Sequence, residues 1–136
     1  MPFPLFTYGT LRPHNDNRMS HWLARNADHH GPACVTGTLY LIDDYPGLVL
    51  AGQDAVQGDL YWLHSHDAGL AMLDDYEECT PHHPAPHEYR RARITVRAQG
   101  CDVEAWTYLY ARPVARHARI PSGDFHDLTC TRPVID

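Results

Sequence analysis

The chain has 136 residues, of which 43% are hydrophobic and 21% charged, a composition typical of a folded domain rather than of a disordered or collagen-like chain. Acidic residues outnumber basic ones by seventeen to eleven, and the net charge of −6 argues against nucleic acid as a partner. All the basic residues are arginines, so P-loop and Schiff-base chemistry, which need lysine, are excluded. No apolar run approaches the ~20 residues that cross a bilayer, and no membrane role is expected.

We expect one domain over residues 1–136, with residues 112–136 as a mostly irregular tail, because that segment is rich in proline and arginine and lacks periodicity. The four cysteines are widely spaced and the N-terminus does not resemble a secretory signal. Reduced thiols and a cytoplasmic location are therefore expected, with two disulfides as the alternative. The apolar stripes are all used by the expected core, and the oligomeric state stays unknown.

The first predicted elements are a buried strand over Phe3–Thr7, ending at Gly9, and a helix over Asn17–Ala27. Two alternating segments follow, Val35–Tyr40 and Val56–Tyr61, each with Val, Gly and Leu on one face, where the glycine permits a bulge or a close backbone approach. A turn at residues 43–47 and a short strand over Leu48–Ala51 join them. A hairpin turning at residues 99–100 completes the sheet.

A helix from Ser65 through Glu78 carries the strongest functional signal. Leu70, Leu73 and Tyr76 form its apolar stripe, and the acidic residues Asp67, Asp74, Asp75 and Glu78 share the opposite, water-facing arc. Glu77 breaks this pattern because it falls on the apolar stripe. A core-facing carboxylate either has a hidden partner, such as an arginine or backbone amides, or takes part in chemistry.

A second candidate is the loop of Tyr8, Gly9, Thr10 and Leu11. A glycine after a strand lets backbone N–H groups converge on an anion, and Thr10 adds a hydroxyl. An ordinary turn is the alternative.

Seven segments in this order resemble the gamma-glutamylcyclotransferase-like family, in its gamma-glutamylamine cyclotransferase branch. They are Phe6–Arg12, Val35–Tyr40, Tyr45–Gly47, Val56–Tyr61, Leu73–Glu77, Tyr89-x-Arg91 and Ile120–Asp124. The resemblance spans residues 3 to about 125. The Pro- and His-rich segment Cys79–Glu88 departs from it, since many members have a shorter, glycine-containing connection there.

The resemblance implies an α+β fold, a small mixed β-barrel flanked by short helices. It also implies that Glu77 corresponds to the catalytic acid/base and that Tyr8, Gly9, Thr10, Leu11 and Tyr89 bind substrate. The expected reaction cyclises a gamma-glutamyl amine or peptide to 5-oxoproline and releases the amine. The substrate supplies its own nucleophile, which fits the absence of a Gly-x-Ser-x-Gly elbow, and no metal or organic cofactor is expected.

Alternatives remain open from the sequence. The same barrel without catalysis would bind a small anionic metabolite or a protein partner. The eleven histidines include a group at 82, 83 and 87 that could bind metal or gate the site, although exposed loops are the simpler interpretation. Cys79 beside His82 or His83 is a conceivable nucleophile. The arginines at 91, 93 and 97 form a solvated face, from which Arg91 could orient Tyr89 or support the site.

Overall fold

The computed structural model describes residues 2–9 and 18–125, which form two helices and six strands. Thr10 and Leu11, the predicted helix start at Asn17, and residues 126–136 lie outside the described residues. The elements are β1 (Leu5–Thr7), α1 (Arg18–Asn26), β2 (Ala27–Leu41), β3 (Pro46–Leu63), α2 (His66–Tyr76), β4 (Tyr89–Ala98), β5 (Cys101–Tyr110) and β6 (Ala118–Arg119).

The strands close into a ring. β3 pairs with β1, β1 with β5, β5 with β4, β4 with β2, and β2 again with β3. The β1–β5 pairing is parallel and the others are antiparallel. A mixed, barrel-like sheet with two helices confirms the expected fold class.

β2 and β3 form the longest pairing, and their two glycines behave as the alternating pattern predicts. The register shifts between Gly37 and Thr38, where β3 loops out over residues 50–53. At Gly58, a Cβ would collide with the carbonyl oxygen of Thr7 and lie 2.6 Å from the Phe6 ring, so only glycine lets β1 approach this closely. Leu48–Ala51 is not the separate strand expected, because its first residues extend the pairing of β3 with β2.

Alternate residues of the strands pack into two cores. The interior of the ring is filled by Phe6, Val35, Leu39, Leu48, Val56 and their neighbours. The outer face packs against the helices through Leu5, Met19, Leu23 and Leu73 and is rich in tyrosine, at positions 61, 89, 108 and 110. Helix α1 lies within the expected range and buries Met19 and Leu23, four residues apart on one face.

Helix α2 ends earlier than expected. Ser65 occupies the N-cap position without a side-chain cap bond, the last helical residue is Tyr76, and Glu77 is the C-cap. Leu70 and Leu73 are buried as predicted, but Tyr76 is 43% exposed, so its place in the apolar stripe was wrong. Asp74 was also misplaced: instead of facing water it is largely buried and bonded to Arg91 and Tyr108.

The tail beyond β5 is mostly irregular over its described part, with one addition. β6 pairs with the end of β2, and Ile120 is buried in the ring interior. Arg119 makes two 2.7 Å hydrogen bonds to Asp54. The backbone N–H of Gln57 donates to the carbonyl of Gly123 at 2.7 Å. The described helices include none long and apolar enough to cross a membrane.

Candidate active site

A cavity of about 480 Å³, a size suited to a small molecule, lies where the two cores meet, since Phe6 and Tyr8 of the ring interior line it together with Tyr89 and Tyr108 of the outer face. Its walls come from the end of β1, the β2–β3 turn, the C-terminal end of α2 and the start of β4. These elements bring together four of the sequence-predicted residues, Tyr8, Gly9, Glu77 and Tyr89. Thr10 and Leu11 fall outside the described part of the chain, and their proximity to the cavity stays a prediction.

Glu77 enters the cavity because α2 stops one residue before it. Its backbone N–H donates to the carbonyl of Leu73 at 2.8 Å, which fixes the last helical turn. Across residues 2–9 and 18–125, no hydrogen bond or ion pair reaches its carboxylate, so the arginine or amide partner considered from the sequence is not found there. Burial, with a smaller contribution from the charge of Glu88, raises the pKa of Glu77 from 4.5 to about 7. This group can therefore take up and release a proton near neutral pH.

Gly9 packs against the β2–β3 turn. A Cβ at this position would lie 2.7 Å from Cγ of Pro46, well inside contact distance. Because a proline ring cannot swing away as a long side chain does, glycine is needed here for close packing. The predicted convergence of the loop amides on an anion depends in part on Thr10 and Leu11 and is not tested.

Tyr8 and Tyr89 use their hydroxyl groups to hold backbone in place. The Tyr8 hydroxyl donates to the carbonyl of Tyr108 at 2.5 Å and accepts the amide of Leu48 at 3.2 Å. The Tyr89 hydroxyl donates to the carbonyl of Pro46 at 2.6 Å. Burial raises the pKa of both phenols, so both stay protonated donors.

Sequence reasoning missed Glu88 and Tyr45. The Tyr45 hydroxyl donates to the Glu88 carboxylate at 2.5 Å across the outer part of the cavity. Glu88 directly precedes Tyr89, and Tyr45 lies in the Tyr-Pro-Gly segment, so both positions were next to recognised motifs. Their pairing joins residues 43 apart in sequence, and no local pattern reports it.

The arginines of β4 pair with acidic residues, and the thiol of Cys79 is a poor nucleophile. Arg91 bonds to Asp74 rather than orienting Tyr89, whereas Arg93 and Arg97 pair with acids across the hairpin. Burial, followed by the charges of Asp74 and Glu77, raises the pKa of Cys79 to about 11, which disfavours a thiolate nucleophile.

The histidines do not all lie in loops. His29 and His30 belong to β2, and His29 Nε2 lies 2.9 Å from the Asp59 carboxylate. His83 contacts Thr80 through Nδ1 at 2.7 Å and lies 3.7 Å from Asp75 through Nε2. Within the described ranges no three His, Cys, Asp or Glu side chains are grouped to hold a metal ion.

A closed mixed sheet with a partly buried carboxylate of raised pKa in a pocket beside it defines a class of small α+β proteins with a metabolite-sized site. Comparison with known proteins identifies the family. Residues 5–127 match the model of the family "Gamma-glutamyl cyclotransferase, AIG2-like", and the chain belongs to this family.

Individual relatives agree with this assignment. The gamma-glutamylcyclotransferase family protein YtfP of Escherichia coli K12 is 36% identical over 124 residues, which are 90% of this chain and 96% of that protein. The solution structure of E. coli YtfP aligns with a TM-score of 0.67 and 32% identity over 93% of this chain and 98% of that one. An AIG2-like protein of Mus musculus, 24% identical with a TM-score of 0.63 over 81% of this chain and 78% of that one, shows the shared fold.

Proposed function

We propose that the protein is a gamma-glutamyl cyclotransferase that converts a small gamma-glutamyl amine or peptide into 5-oxoproline and a free amine. Glu77 is the general acid/base of this reaction, and no cofactor takes part. The observation that carries the proposal is the Glu77 carboxylate itself, partly buried in a metabolite-sized cavity, with a pKa raised to about 7. Membership of the family supports the reaction type.

The chemistry needs a proton carrier and a folded substrate. Glu77 takes a proton from the substrate α-ammonium, and the free amine then attacks the γ-carbonyl carbon to form the C–N bond of a five-membered lactam. As the tetrahedral carbon collapses, its bond to the leaving nitrogen breaks and Glu77 returns the proton to that nitrogen. Glu77 then takes the second proton from the ring nitrogen and passes it to the released amine. The α-nitrogen loses two protons in total and the leaving nitrogen gains two, so the reaction consumes none.

Most of the rate enhancement in this scheme comes from geometry. Both reacting groups belong to one molecule, so holding it in a near-attack conformation can contribute up to ~7–11 kcal/mol. Proton transfer by a positioned carboxyl group contributes typically ~10²–10⁴-fold. A pKa near 7 suits Glu77 to both directions of transfer at neutral pH.

We assign the binding of the glutamyl part to Tyr8, Gly9, Thr10, Leu11 and Tyr89. The loop amides would hold the α-carboxylate, which all such substrates share. The backbone bonds of Tyr8 and Tyr89 support this assignment, because they fix two walls of the cavity before substrate arrives. We place the activity in the cytoplasm within one domain, in keeping with the free thiols of Cys34, Cys79 and Cys101.

The direct test is an assay for 5-oxoproline with a panel of gamma-glutamyl amines and peptides. We expect product from at least one substrate, and Glu77→Gln to lower kcat at least ~10²-fold, since it keeps the side-chain shape and removes the proton carrier. Asp75→Asn is the matched control, because Asp75 is an exposed carboxylate two residues away and is not among the described residues that line the cavity. Unchanged turnover in Glu77→Gln would refute its role. No product across the panel would favour a non-catalytic binding protein.

A further inference from the structure

Tyr108 of β5 connects the α2 side of the cavity to the β1 side. The Tyr108 side-chain hydroxyl donates to Oδ1 of Asp74, in the last turn of α2, at 2.7 Å. The Tyr108 backbone carbonyl accepts the Tyr8 hydroxyl, directly before Gly9, at 2.5 Å. Tyr108 therefore bonds both to the helix that ends at Glu77 and to the segment that leads into the Gly9 bend.

Asp74 is held from a second side. Its Oδ1 also accepts Nε of Arg91 at 2.9 Å, and the Arg91 guanidinium stacks 4.5 Å from the centre of the Trp106 ring. The side chains of Asp74 and Arg91 are 20% and 28% exposed, so solvent screens this pair less than an ordinary surface pair. Burial, and the bond to Asp74, raise the pKa of Tyr108, which keeps its hydroxyl protonated as a donor.

Within the described residues, no hydrogen bond or ion pair holds the Glu77 carboxylate, so its position there depends on the end of the helix. Asp74 lies three residues earlier, and its backbone carbonyl accepts the amide of Cys79 at 3.1 Å as the chain leaves the helix. Fixing Asp74 therefore fixes the turn on which Glu77 sits.

We propose that Tyr108, Asp74 and Arg91 are positioning residues that hold the Glu77 carboxylate at its depth and distance from the Gly9 bend. Together they form a brace, of which Asp74 and Arg91 are not among the described residues that line the cavity. The inference concerns how the proposed acid/base is placed, and so it rests on the proposed function.

The pKa of Glu77 can be measured without substrate, and it reports whether the brace holds the carboxylate in place. Besides burial, the charge that raises its pKa is that of Glu88, just before β4. The charge of Glu77 in turn raises the pKa of Tyr8 after β1, Cys79 after the helix and Tyr89 in β4. The cavity also contains the charged or titratable Asp44, Tyr45, Glu78, His87 and Arg112. Tyr108→Phe changes none of these charges. A fall in the pKa of Glu77 in that variant would therefore come from a change in its position and solvation.

The experiment titrates the Glu77 carboxyl by ¹³C NMR in the full-length protein and in Tyr108→Phe, Asp74→Asn and Asp75→Asn. We expect the pKa of Glu77 to move from about 7 towards 4.5 in the first two variants and to stay in Asp75→Asn. Asp75 is the matched control, since it is adjacent and 75% exposed and lies 3.7 Å from His83. With a substrate from the panel, kcat should fall ~10–100-fold in the brace variants with little change in KM.

The outcomes separate the brace from the proposed function. An unchanged Glu77 pKa in folded Tyr108→Phe, or equal falls in all three variants, would overturn the brace. If one brace variant does not fold, the other decides the question by the same titration. If the unaltered protein turns over no gamma-glutamyl compound, the proposed function fails, while the titration still decides whether the brace positions Glu77.

Discussion

The two faces of the closed sheet use the same strands for different purposes. In β5, Leu109 points into the ring and joins a mostly aliphatic interior that also contains Phe6 and Tyr8, whereas Tyr108 and Tyr110 on either side of it point outwards. The interior contributes apolar burial. The outer face adds hydroxyl groups that fix carbonyls and carboxylates at set distances, as the bonds of Tyr89 and Tyr108 do.

This difference teaches where a small closed sheet can build a site. The ring is filled by its own side chains, so the cavity lies at its border, where a helix end and two turns meet. Tyrosine suits that face because its ring packs as a hydrophobic group while its hydroxyl makes one directed bond. We expect interior substitutions to change stability and outer-face substitutions to change the ionisation of Glu77.

The largest expected effect belongs to the interior. Leu39 is fully buried, and Leu39→Ala should lower the free energy of unfolding by ~2–5 kcal/mol, through lost apolar burial and the cavity left behind. Urea denaturation measures the loss, and the Glu77 carboxyl titration should be unchanged. A shift in that titration would break the division between the two faces.

Burial of the ionised Glu77 carboxylate should lower the free energy of unfolding at neutral pH. A carboxyl group whose pKa is 4.5 in the unfolded chain and about 7 in the folded one stabilises the fold fully below pH 4.5 and loses that contribution as pH rises through 7. Glutamine does not titrate. Glu77→Gln should therefore become more stable than the unaltered protein as pH rises from 4.5 to 7, by at most about 3 kcal/mol.

Urea denaturation across that pH range measures the difference, with Glu78→Gln as the control. The difference for Glu77→Gln should level off above pH 7, and Glu78→Gln should not reproduce this rise. A constant difference at all pH values would mean that burial does not raise the pKa of Glu77.

The sequence predicted the elements better than it predicted their contacts. The position of Glu77 on the core-facing side of α2 followed from helical spacing, because that signal lies within a few residues. Asp74 was assigned to solvent by the same spacing, since its partners Arg91 and Tyr108 are 17 and 34 residues away. Tyr76 was assigned to the core because the pattern was continued past it. No proline or glycine directly after Tyr76 indicates that the helix ends there.

A smaller effect is expected at Gly9, which lines the cavity. Gly9→Ala places a methyl group against the Pro46 ring, and the bend must move by some tenths of an ångström. We expect kcat/KM for a gamma-glutamyl substrate to fall ~10–100-fold, because near-attack geometry is sensitive to such shifts. The double variant Gly9→Ala/Pro46→Ala should recover part of the loss, and no recovery would mean that the clash with Pro46 is not its cause.

The smallest effect on the pKa of Glu77 should come from removing the charge of Glu88, which lies at the cavity. Glu88 raises the pKa of Glu77 less than burial does, so Glu88→Gln should lower that pKa by a fraction of a unit and leave it above 4.5. The acid limb of the kcat/KM profile then moves to lower pH, because Glu77 is ionised over a wider range. Tyr45→Phe removes the hydrogen bond to Glu88 but keeps its charge and should not lower the pKa of Glu77. A fall as large in Tyr45→Phe as in Glu88→Gln would show that Glu88 acts through the packing of the outer face and not through its charge.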